Sequence, residues 1–165
     1  MFEEIDVQDA IKKSLLTEKN AMNFYQLGAT RMKNKDAIRV FELLAKEERE
    51  HAGHFYKIYK GIDIPDFDEF MDAPPDQEST WMAAMTKTVN SDFTEQKALE
   101  LAMHKEKKLE HTLRETAGKI KDENVRAIFE LNARETHNHY EMIESEYARI
   151  MAMVHESDMD IYVRE

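Results

Sequence analysis

Apolar residues recur at helical period through most of the chain, broken by two short polar turns and one long Pro/Gly-marked link. Val7, Ala10, Ile11, Leu15, Ala21, Met22, Tyr25, Ala29 and Met32 form one stripe, which predicts a helix from about Asp6 to Lys33 with Asp6 as N-cap. A short turn follows, so the second helix, about Asp36 to Lys60, is expected to return antiparallel. Ala37, Val40, Phe41, Leu44, Ala52, Phe55, Ile58 and Tyr59 mark its inner face, and Gly61 and Pro65 end it. A third helix opens at Asp92 or Thr94 and runs to about Lys119. A fourth continues to about Met153. Residues 154–165 are polar apart from Ile161, Tyr162 and Val163 and are expected to fray or dock loosely.

Residues 61 to about 92 join the two helix pairs. This stretch is too apolar for a floppy linker and is expected to hold one short helix near Trp81. Trp81 and its Met neighbours read as a lid packed on a bundle, with a subunit or partner contact as the alternative. A connection this long can cross the whole bundle, which fits a single all-α domain over 1–165, with a four-helix, two-hairpin bundle over about 6–153, a crossover over about 61–92 and a tail over about 154–165.

Polar residues interrupt the inner stripes. Glu48 and His51 stand three residues apart in Ala45–Phe55, so a carboxylate and an imidazole share one helix face. With 7 His in the chain, about one such pair is expected by chance. An internal repeat gives it weight. At an offset of 88 residues Glu18 falls on Glu106, Phe41 on Phe129, Ala45 on Ala133, Glu47 on Glu135 and His51 on His139. Two copies of a helical hairpin would bring Glu18, Glu48, His51, Glu106 and His139 together at mid-height in the core. Carboxylates and imidazoles buried there are costly without a cation, and such ligands suit iron or manganese.

Composition narrows the classes. Four Gly and three Pro among 35% charged residues favour long helices over a sheet. The chain has no Cys, which excludes disulfides, thiolate zinc sites and built-in iron–sulfur centres. A net charge of −11 argues against nucleic acid and for cations. No apolar run approaches the roughly 18 residues of a membrane span. The acidic start, Met1-Phe2-Glu3-Glu4, resembles no secretory or transit peptide, so a cytoplasmic location is expected. The 11 Met read as core filler.

Glu18-x-x-Ala21-x-x-x-Tyr25 and Glu47-Glu48-x-x-His51-Ala52-x-x-Phe55 resemble the first half of the rubrerythrin signature within the ferritin-like di-iron carboxylate proteins. Ala102-x-x-x-Glu106 and Ala133-x-Glu135-x-x-x-His139 resemble its second half. The resemblance implies a ferritin-like four-helix bundle, two iron ions (manganese or zinc as alternatives) and reaction with hydrogen peroxide or oxygen. It also implies an external electron donor, since the chain lacks the thiolates of an electron-transfer centre, and a homodimer. Glu18, Glu48, His51, Glu106 and His139 would be the ligands. Tyr25 would donate to a ligand or shuttle an electron, or be a core tyrosine.

Four departures bear on that expectation. The mirror of Glu48 is Thr136, Asn132 stands where the first copy has Leu44, and Leu113 stands opposite Tyr25. The additional glutamate of rubrerythrins would fall at Leu109. Glu135 swinging in, Glu110 reaching from the third helix, or water held by Thr136 and Asn132 would complete the set. A ferroxidase or iron-binding protein without turnover, and an interaction bundle with a degenerate site, are the rival functions. His54, His104, His111 and His137 are expected at the surface or the edge of the core.

Overall fold

Asp6 starts the first helix as expected, its carboxylate accepting the amide of Asp9 at 3.1 Å. In the computed structural model, which describes residues 5–163 and the side chains of 5–154, that helix is α1, Val7–Arg31. Helix α2, Lys35–Ile58, begins a residue before Asp36 because Asn34 is its cap, accepting the amides of Asp36 and Ala37. Thr94, accepting from Lys97, opens α5 (Glu95–Ala117), and α6 runs Glu123–Val163. Glu95 leaves the cap to Thr94 and instead accepts the amides of Lys33 and Asn34. That contact ties the first hairpin's turn to the start of α5.

The crossover holds two short helices rather than one: α3, Phe67–Asp72, and α4, Thr80–Val89. Phe70 and Met71 bury α3, and Arg49 of α2 holds it by bonding Asp68 and Asp72 at 2.9 Å each. Ser79 caps α4, whose Trp81, Met82 and Met85 are buried. The Trp81 ring meets Phe24 edge-on at 5.2 Å, so the lid reading describes this segment. A buried lysine on α1 anchors the link between α3 and α4. Lys19 Nζ donates to the Ala73 carbonyl at 3.0 Å and to Asn23 at 2.9 Å.

The architecture is an all-α, ferritin-like bundle of two hairpins, α1–α2 and α5–α6, with α4 lying against α1 and α5. The hairpins meet where α2 faces α6, and one continuous core fills the space between them. Helix α6 continues ten residues past the expected end at Met153. Whether Ile161, Tyr162 and Val163 dock lies outside the described side chains. No described helix is long and apolar enough to cross a membrane.

Gly28 shows how closely this core is packed. A Cβ there would meet the Phe41 ring at 2.7 Å and Met85 Cε at 3.0 Å. Alanine would gain about 0.5–1 kcal/mol of helix propensity. Overpacking a filled core costs about 1–3 kcal/mol and should outweigh it. Gly28→Ala is therefore expected to lower the denaturant midpoint; a stabilised variant would show that the Phe41 ring yields freely.

Candidate metal centre

Each residue of the cluster sits on the inner face of a long helix, on a stripe that is otherwise largely apolar. Glu18 lies between Leu15 and Met22 on α1, and Glu48 and His51 between Leu44 and Phe55 on α2. Glu106 lies between Ala102 and Leu109 on α5, and His139 follows Ala133 on α6. Helical periodicity thus forces all five inward, and all five are buried.

The two imidazoles stack at 4.9 Å between ring centres, 15° from parallel, across the α2–α6 contact. Their Nδ1 atoms face the carboxylates. His139 Nδ1 is 2.8 Å from Glu48 Oε1 and 3.7 Å from Glu106 Oε1. His51 Nδ1 is 3.7 Å from Glu18 Oε2 and 3.8 Å from Glu48 Oε2. Glu48 alone addresses both rings, one oxygen to each. It forms with His51 and His139 a group whose ligand atoms lie within 4.8 Å of one another.

A second pair of carboxylates grips the outer nitrogens, crosswise. Glu135 of α6 stands 2.5 Å from His51 Nε2, and Glu47 of α2 stands 3.5 Å from His139 Nε2. Each histidine thus has a carboxylate on its outer edge and carboxylates on its inner one. The repeat already aligned Glu47 with Glu135, but each reads alone as a helix-flank charge. That the pair recurs at the same offset as the His residues was the available signal.

The remaining candidates are placed as follows. Glu135, so engaged, lies behind His51 rather than within the carboxylate group. Glu110 accepts from Arg114 and sits 2.9 Å from His137, on the outside of the bundle. Thr136 and Asn132 are buried on α6. Asn132 donates to the Ile128 carbonyl, and its Oδ1 is 3.3 Å from Nδ1 of the partly buried His54. Tyr25 is fully buried and donates to Glu106 Oε1 at 2.5 Å. His104, His111 and His137 are exposed.

The charges are strongly unequal. Burial and the negative charge of Glu48 push Glu18 well above the usual carboxylate range. Burial raises Glu48 too, but Glu18, His139 and His51 outweigh it and hold Glu48 well below that range. Burial and Glu48 also lift Glu106, to about 7. For both histidines the carboxylates overcome burial, raising His51 to about 12 and His139 to about 10.

Despite those short approaches, the geometry leaves the cluster unsatisfied. Both oxygens of Glu18 and Glu48, Glu106 Oε2, Thr136 Oγ1 and both Nδ1 atoms are buried without an aligned hydrogen-bond partner. Among the described residues, Glu47 Oε2, at the cluster's edge, is the remaining buried side-chain atom in that condition. Each such atom costs about 1–3 kcal/mol of desolvation. Converging oxygen and imidazole ligands that are paired with nothing else fit one or more divalent cations.

A family model described as Rubrerythrin matches residues 9–147. No curated protein and no solved structure matches the chain.

Proposed function

Because the chain belongs to the rubrerythrin family, we propose that its buried cluster holds a pair of iron ions reacting with hydrogen peroxide or oxygen, re-reduced by an external donor. The observation that carries this reading is the concentration of partnerless buried ligand atoms in one place. A bundle core tolerates such atoms where a cation completes them. Glu18 with His51 and Glu106 with His139 are the two half-sites, and Glu48 spans them. Two ferrous ions held by these residues would supply the two electrons that, with two protons, convert hydrogen peroxide to two water molecules.

The protein's part is positioning and exclusion of water. Glu47 and Glu135 aim the imidazoles from outside. Tyr25 occupies Oε1 of Glu106, which leaves Oε2 as that carboxylate's free atom. Phe24, Phe41 and Trp81 pack around the Tyr25 ring at 4.9–6.4 Å and keep this side dry. The residues of this chain include no Cys and so carry no thiolate-bound electron-transfer centre of their own, which is why the reading includes an external donor.

Tyr25→Phe keeps the ring and removes the hydrogen bond to Glu106. Partners that orient a ligand carry about 10–100-fold in metal affinity. A drop of that order in Fe(II) affinity is expected, with helix content unchanged; unaltered affinity would reduce Tyr25 to core packing.

Thr136, in the place of a fourth carboxylate, favours one second reading: iron oxidation without peroxidase turnover. Anaerobic loading with Fe(II), followed by peroxide with and without a chemical reductant, separates the two. Repeated peroxide consumption with reductant supports the first reading. A single stoichiometric oxidation supports the second, and no oxidation contradicts both.

A further inference from the structure

The internal repeat leaves the inner carboxylate group one short, since Glu47, whose Oε2 is buried and unpartnered, lies on the outer nitrogen of His139. The mirror of Glu48 is Thr136. Glu135 is committed to the outer nitrogen of His51, and Glu110 to Arg114 and His137. Glu18, Glu48 and Glu106 therefore provide at most three negative charges, while two divalent ions bring four positive ones. An uncompensated charge in this core is expensive.

The place of the missing group is polar rather than refilled with hydrocarbon. Thr136 Oγ1 is buried with no hydrogen-bond partner. One turn earlier Asn132 replaces the leucine of the first copy. Its amide and carbonyl are engaged by Ile128 and His54, so Thr136 is the unsatisfied group. His54 in turn lines a surface pocket of about 430 Å³ with Arg49, Lys57, Gly53, Glu50 and Phe67. His54 thus joins that pocket to Asn132, which stands one helical turn from Thr136 on α6.

We propose that a small monocarboxylate from solution, of formate or acetate size, binds beside Thr136 and supplies the fourth negative charge. The inference rests on the reading that the cluster holds two divalent ions. Thr136 is shorter than glutamate by little more than the carboxylate itself, which sets the size. The hydroxyl donates to one carboxylate oxygen, and a single charge is what the balance lacks. The chain has in effect exchanged a built-in ligand for an exchangeable one, so metal occupancy answers to the concentration of a small organic acid.

The test is an anaerobic titration of the metal-free full-length protein with Mn(II), read by electron paramagnetic resonance and melting temperature. It is run in carboxylate-free buffer with and without formate. Formate should tighten uptake of the second ion by at least the ~10–100-fold that partners of a ligand carry. Thr136→Glu should take two ions without formate and lose the formate dependence. Thr136→Val, which keeps the shape without the hydroxyl, should show a weakened formate effect and serves if the glutamate variant does not fold. Two ions in wild type with no formate effect would overturn the proposal, as would an undiminished effect in Thr136→Glu or Thr136→Val. If neither wild type nor Thr136→Glu takes up Mn(II) under any condition, the metal-site reading itself fails and the proposal with it.

Discussion

Glu48→Gln is expected to abolish metal stabilisation altogether, the largest effect of any single substitution here. Glu48 is the one carboxylate that addresses both imidazoles, and it is fully buried at the meeting of α2 and α6. In the proposed two-ion site, losing its charge would disable both half-sites at once, whereas losing Glu18 or Glu106 would spare the opposite half. An ion present at about 1,000 times its dissociation constant stabilises a protein by roughly 4 kcal/mol. For a domain of this size that corresponds to a melting-temperature rise of roughly 8–16 °C. Wild type should show a rise of that order with Fe(II) or Mn(II) under anaerobic conditions, and Glu48→Gln none. A variant that still gains several degrees would show that the ions bind elsewhere.

Glu18→Met should have opposite effects on the two forms of the protein. Both oxygens of Glu18 are buried without an aligned partner, and burial holds the carboxyl well above its usual range. Methionine has a similar volume and no unsatisfied atoms. It should therefore raise metal-free stability by about 1–3 kcal/mol, the cost of a buried unpaired polar group. In excess metal the same variant should lose most of the gain that wild type shows. Denaturant midpoints with and without metal read both effects. Destabilisation of the metal-free form would mean that Glu18 is held by interactions its geometry does not reveal. The expected crossing is what a site built for a ligand produces, because its strain is relieved only when the ligand is bound.

Much of this was legible in the sequence because helical period and an internal repeat act together. Stripes of period 3.6 gave α1, α2 and α5 to within a few residues, and Asp6 and Thr94 were readable as caps. The offset that pairs Glu18 with Glu106 and His51 with His139 brought out the residues that the fold brings together, and it exposed Thr136 as the odd member. What escaped has physical causes. Helix α3 is 6 residues long, too short to show a period, and is held by Arg49 from a distant part of the chain. Helix α6 outruns its apolar stripe, so its extension past Met153 left no pattern to read. Lys19 carries no signal in the sequence, because its partners are Asn23 and a backbone carbonyl of the crossover, which no side-chain pattern reports. Glu47 and Glu135 reach across to the other hairpin's histidine, and only the folded pairing of α2 with α6 reveals it.

The asymmetry also says what kind of protein this is within its family. Four residues of the repeat agree in chemistry and position across the two hairpins: Glu18 with Glu106 and His51 with His139. The position of Glu48 does not, and one turn before its mirror Thr136, Asn132 carries polarity where the first copy has Leu44. A decayed site would be expected to lose charge and fill with apolar side chains, since each buried polar atom costs stability. Here the other carboxylates and both imidazoles remain buried.

The most direct test is crystallographic: crystals of the full chain grown anaerobically with Fe(II), with anomalous differences collected on both sides of the iron absorption edge. The expected result is iron density enclosed by Glu18, Glu48, His51, Glu106 and His139, with Glu48 between the two peaks. Density confined to surface carboxylates, with the cluster empty in iron-saturated crystals, would contradict it.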